Sequence, residues 1–198
     1  MVKVCTHPTL ILAFLMSLTA CGDIKGAIEF PNARDDFIAR RAALDDRFNT
    51  AYLGVPDTGE STYTGEASLA VGTKSNGIVL IGDASITVDF ETNAVTGLLD
   101  NFSGFDTNED FSEYAGVLVL QDGVLGAVNP NYVQGQIVGV LTGDGNVIGV
   151  DAFWDGHLKG TPIYGILGDT TAADSTFELN GTVVTGVIVT GVIVTAVD

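Results

Sequence analysis

The stretch STYTGEASLAVGTKSNGIVLIGDASITVDFETNAVTGLLDNF, residues 61–102, decides the fold class. Within it Ala84, Ile86, Val88 and Phe90 alternate with Ser85, Thr87 and Asp89. A period of two puts one row of side chains on an apolar face and the other on a polar face, which is the signature of a β-strand. Asn76-Gly77 just before it tolerates positive φ and predicts a two-residue hairpin turn. Glu91-Thr92-Asn93 after it is a polar turn. The stretch therefore reads as three consecutive antiparallel strands.

The same pattern continues downstream. Residues 114–121 (YAGVLVLQ) form an apolar strand, and Asp122-Gly123 is a second hairpin signal leading into residues 124–128. Asn129-Pro130-Asn131 is a turn, residues 132–142 a strand, and Asp144-Gly145 a third hairpin signal before a strand over 146–159. Residues 162–167 are a short apolar run. Residues 103–113 (SGFDTNEDFSE) and 168–175 read as loops. The tail over residues 176–197 repeats TGVIV at 185–189 and 190–194, with no charge between Glu178 and Asp198. Left as an edge, it would be an aggregation hazard. A closed barrel removes the hazard by pairing the last strand with the first. The expectation is an all-β chain, an eight-stranded antiparallel up-and-down barrel with about eight to ten strands in all. A sandwich is the other arrangement open to such a pattern.

The first residues are an address. Lys3 makes the N-terminus positive, and residues 10–18 are apolar but too few to span a bilayer. Leu18-Thr19-Ala20-Cys21 follows. It resembles the bacterial lipobox, and that resemblance implies removal of residues 1–20 and lipidation of Cys21. Cys5 leaves with the signal and Cys21 carries lipid, so the mature chain keeps no free thiol. Residues 21–56 read as a lipidated tether plus one short helix, and residues 57–198 as the barrel domain. The tether covers residues 22–32 and the helix about 33–49. Phe37, Arg41, Leu44 and Phe48 lie along one helix face. Phe37, Leu44 and Phe48 are expected to cover a mouth or flank of the barrel.

Charge narrows the partners. Residues 1–55 hold six basic and six acidic residues, whereas from Pro56 onward two basic residues face 19 acidic ones, so the whole net charge of −17 lies on the β-rich part. Such a domain repels phosphate backbones and anionic lipid surfaces, which excludes nucleic acid. The charge also serves solubility, and it suits a basic partner or a cation.

At residues 62–67 (TYTGEA), 84–90 (ASITVDF), 95–97 (VTG) and 99–102 (LDNF), the chain resembles the opening strands of the barrel domain of transferrin-binding protein B and related bacterial surface lipoproteins. The likeness covers about 40 residues well and continues more loosely through Gly135, Gly149, Gly156, Gly160 and Gly165. It departs at the end, where the TGVIV repeat replaces the family's closing strand. No second lobe and no handle domain are expected from this sequence, so the resemblance does not carry over host-transferrin binding. What the resemblance implies is an eight-stranded barrel, a lipid anchor in the outer membrane with surface exposure, and a binding role. The periplasmic face is the other possible side.

Candidate chemistry is sparse. Only His157 survives maturation, because His7 lies in the signal. In the sequence WDGHLKG it is a structural or solvated histidine or, as the sharper reading, a haem ligand. Trp154 beside it reads as core or barrel rim. Asp106, Asn108 and Asp110 have the D-x-N-x-D spacing of a calcium loop, but Phe111 stands where an EF-hand needs Gly and Val117 where it needs Glu. They are candidates for looser calcium binding or a polar loop tip. No catalytic residues and no cofactor are assigned, and the chain is not expected to be an enzyme. The expectation is a non-catalytic binding module for a protein or small ligand, tied to the membrane through Cys21. The alternatives are a structural envelope lipoprotein without a specific ligand, and a carrier of haem or a hydrophobic ligand in the barrel mouth.

Overall fold

The structure, a computed structural model, describes residues 20–73, 75–106 and 108–197. Residues 1–19 of the expected signal peptide and the side chain of Cys21 lie outside the described residues.

Among the described residues, one α-helix and a short 3-10 turn at Tyr52–Gly54 precede nine strands. These are α1 (Ala20–Asp45), β1 (Glu60–Thr73), β2 (Asn76–Asp89), β3 (Ala94–Asp106), β4 (Phe111–Leu125), β5 (Tyr132–Gly143), β6 (Asn146–Lys159), β7 (Gly165–Leu179), β8 (Thr182–Val184) and β9 (Gly186–Val197). Strands β1 to β7 pair in order, all antiparallel, and β9 lies between β7 and β1. Eight strands therefore close a ring, and β8 is a three-residue addition to the far end of β7. The repeated TGVIV tail is the closing strand: Ala70 pairs with Val187, Ala67 with Thr190 and Tyr63 with Val194. Closure gives residues 189–193 of that uncharged strand a neighbour on both sides, which removes most of the free edge.

The interior is filled. Alternate residues of every ring strand point inward, among them Leu69, Ile86, Leu99, Leu118, Ile137, Trp154, Ile166 and Val192, and all are buried. Eight strands leave a lumen just wide enough for such side chains. Burying residues of this size stabilises a fold by roughly 1.5–3 kcal/mol each, before chain entropy is set against it. The alternation of residues 84–90 matches its strand: Ala84, Ile86, Val88 and Phe90 face in.

Several turns differ from expectation. Asn76-Gly77 is not the turn of the first hairpin; it lies inside the ladder, opposite Thr73 and Gly72. Gly72 has φ +102° and a side chain there would collide with the Asn76 carbonyl, so close approach decides these glycines. Asp122-Gly123 is not a hairpin. It lies within β4 where the register slips against both neighbours, and Asp122 has φ +51°. That is a bulge, which asks for positive φ at Asp122 but not at Gly123. Asp144-Gly145, with φ +48° and +70°, is a hairpin turn as expected. A further one, Asn180-Gly181, joins β7 to β8 with φ +54° and +74°.

The expected loop over residues 103–113 is largely strand, because Phe105 pairs with Phe111 and β3 runs on to Asp106 and β4 from Phe111. The expected loop over 168–175 is part of β7, whose register against β6 slips there. The expected tether over 22–32 is helical, and α1 ends at Asp45, before residue 49. Pro31 sits inside this helix and removes one backbone hydrogen bond. Burial of Phe30 against Phe105 and Phe111, ring centroids 5.1 and 6.3 Å away, offsets that loss.

Candidate functional site

Helix α1 lies on the outer wall, not in the mouth. Phe30, Phe37 and Leu44 recur every seventh residue and form its buried stripe. Phe30 and Phe37 cover the outward-facing Ile81 of β2, with Val189, Phe105 and Phe111 around it. Leu44 is fully buried, in a notch left by Gly165 and Gly191; a β-carbon on Gly165 would stand 2.8 Å from it. Arg40 holds Glu66 of β1 in a two-pronged ion pair, with Nη2 donating to Oε1 at 3.0 Å. Phe48 was expected on this stripe. It lies past the helix end and is 92% exposed.

A strap then crosses one mouth. The Thr50 amide donates to the Leu158 carbonyl at 2.8 Å, its hydroxyl donates to the Gly160 carbonyl at 2.8 Å, and its own carbonyl accepts from Asn131 Nδ2 at 2.6 Å. Val55 packs on the interior from outside. A shallow cavity of about 370 Å³ remains there, lined by Tyr52, Val55, Phe90, Leu125 and Pro130. The strap leaves Phe48, Tyr52 and Leu53 in solvent.

His157 points outward from β6, since Trp154 and Leu158 face in. Its ring stands edge-on to Tyr132, centroids 5.3 Å apart, and its Nδ1 is buried without a hydrogen-bond partner. Burial lowers its pKa below the ordinary value, and the charge of Lys159 adds to this, while Asp155 works against it. The Tyr132 hydroxyl donates to Asp155. Desolvation and that carboxylate push the phenol up to about 12. Asp169 pairs with Asp155 across β6 and β7, and burial followed by Asp155 raises its pKa, with Arg41 opposing. These groups share the outer wall beside α1. None reaches the lumen.

The calcium candidates do not converge. Asp106 Oδ1 accepts the amides of Asn108 at 2.8 Å and Asp110 at 3.1 Å, and its Oδ2 accepts Asn108 Nδ2 at 2.9 Å. Those hydrogen bonds hold its carboxyl below the usual range. Asp106 thus closes the β3–β4 turn. Among the described residues, no three His, Cys, Asp or Glu side chains gather as a metal site.

An outward apolar face lies on β3 to β5, beside the strand ends that α1 covers. Leu98 of β3 and Val119 of β4 are side by side, as are Val119 and Val138 of β5, and Val117 and Val140 form the next row. All five point outward; Leu98 is 51% and Val140 52% exposed, and Val138 is half-buried. Their alternation with Leu99, Leu118, Leu120 and Leu141 was visible, but strands apolar on both faces do not declare which face is inside. A groove of about 540 Å³ adjoins Leu98, between α1 and the wall, lined by Arg40, Glu66, Asp83 and Asp100.

No protein-family model matches the chain, and no curated protein sequence matches it. One solved structure similar to it is the vaccine antigen transferrin binding protein B from Haemophilus parasuis Hp5, crystallised as a double mutant. The TM-score is 0.46 at 17% identity, over 75% of this chain and 28% of that one. The chain thus spans under a third of the length of that protein. Among the described residues, no helix is long and apolar enough to cross a membrane.

Proposed function

We propose that this chain is a bacterial outer-membrane lipoprotein, held by lipid on Cys21, whose barrel is a non-catalytic binding module working from its outside. The observation that carries this reading is the filled interior: the lumen is occupied by the chain's own side chains, while apolar residues stand exposed on the outer wall and the strap. A protein partner suits an open wall better than a small ligand, which needs a concavity to bury it. In this reading residues 1–20 are the signal, α1 is the lipid-bearing tether folded back on its own barrel, and residues 57–198 are the display domain. From Cys21 to Asp45 the helix extends about 36 Å, which separates the strap from the lipid.

The test is metabolic labelling with an alkyne fatty acid, followed by protease treatment of intact cells. Label on the wild type, none on Cys21→Ala, and loss of the barrel to external protease are expected. An unlabelled wild type would overturn the anchor, and a barrel that survives protease on intact but not on lysed cells would overturn surface display.

A further inference from the structure

We infer that the bare outer face of β3, β4 and β5 docks a protein segment bearing a row of apolar side chains flanked by lysine or arginine. The inference rests on the binding-module reading and names the partner's chemistry.

Two outward apolar areas of the barrel differ in their cover. One, with Ile81, Val189, Phe105 and Phe111, is covered by α1. The other, with Leu98, Val117, Val119, Val138 and Val140, has no cover among the described residues, and its register makes it one continuous surface across three strands. Contiguous exposed apolar area of this kind marks an interaction surface.

Charge selects the occupant. Outward residues around the face include Asp83, Asp100, Glu113 and Asp151. No lysine or arginine occurs between Lys74 and Lys159, so β2 to β5 contain no cation at all. The nearest helix cation, Arg40, is already paired with Glu66. A second copy would bring its own acidic rim against this one, and anionic lipid would be repelled in the same way. A segment with apolar residues on the valines and cations over the rim satisfies both halves of the surface. The groove beside Leu98 gives one such cation a place between Asp83 and Asp100.

The probe is a fluorescein-labelled Leu/Lys amphipathic peptide, titrated into the purified full lipidated chain and read by anisotropy. Comparators are a Ser/Lys peptide of equal charge and a Leu/Glu peptide. The variants are L98D/V140D, or L98S/V140S if the first melts early, and F48S/L53S in the strap. Binding of the Leu/Lys peptide alone is expected, at least tenfold weaker in the Leu98/Val140 variant and unchanged in the strap variant. Equal binding of the Ser/Lys peptide, or equal loss in both variants, overturns the surface. On intact cells, a photo-crosslinker at Val119 is expected to capture a protein whose crosslinked peptide is basic and apolar. Capture only from Leu53, or a crosslinked dimer from Val119, overturns this surface and leaves the binding module standing. Capture from neither position overturns both.

Discussion

Trp154 shows how tightly single residues are held. Its indole is fully buried, and its Nε1 donates to Thr190 Oγ1 at 3.1 Å, across from β6 to the closing strand. Gly168 faces it so closely that an added β-carbon would stand 2.5 Å from the ring. Gly168→Ala is therefore expected to cost about 1–3 kcal/mol by overpacking, seen as a lower denaturation midpoint with unchanged m-value. His157 gives a pH signature. Its folded pKa lies below the unfolded value of about 6.5, so the neutral ring is favoured in the fold. Its contribution is complete above that value and is lost as pH falls below it. Asp169, with a raised pKa, acts in the opposite sense at lower pH. Thermal melts between pH 7.5 and 5.5 should show stability falling in the wild type and a flatter profile in His157→Gln; parallel profiles would contradict the assignment. At this scale the sequence was readable by parity. With Trp154 inside, a period of two already puts His157 outside, so its place on the wall follows from its neighbour. The unpartnered Nδ1 does not follow, because Tyr132 comes from another strand.

Among the elements, strands were more legible than their connections. An alternating run declares a strand directly, as residues 84–90 do. A Gly after Asn or Asp does not by itself declare a hairpin: Asp144-Gly145 is one, with positive φ at both residues, whereas Asp122-Gly123 is a bulge with positive φ at Asp122 alone. The helix was legible in its second half, where Phe37 and Leu44 mark the stripe. Its first half depends on Phe30 meeting Phe105 and Phe111, a contact across about 80 residues of chain that no local pattern shows. Leu44→Ala empties the notch at Gly165 and Gly191 and is expected to cost about 2–5 kcal/mol where the site cannot collapse. Hydrogen exchange would then show the α1 amides opening ahead of the barrel strands. Simultaneous opening of helix and barrel would mean that α1 is integral to the core, not docked on it.

At the level of the whole molecule, the charge pattern and the tail sequence together foretold closure, because an uncharged repeated strand needs partners on both edges. Which outward apolar residues stay bare was not legible, since that depends on where α1 comes to rest. Removing residues 185–198 would free the edges of β1 and β7 and is expected to give an expanded, aggregating chain by small-angle scattering. The seam between β1 and β9 underlies every statement about function, for it makes the barrel a filled body that works from its outer surface. Ala70 and Val187 face each other across that seam on the outside. The most direct test is the double variant A70C/V187C, oxidised in dilute solution and mapped by mass spectrometry. Strand partners lie about 4.5–5.5 Å apart, within disulfide reach. A quantitative intramolecular disulfide is expected, in a monomer that melts no lower than the wild type. Free thiols, or disulfide-linked dimers in place of the internal bond, would contradict the closed barrel.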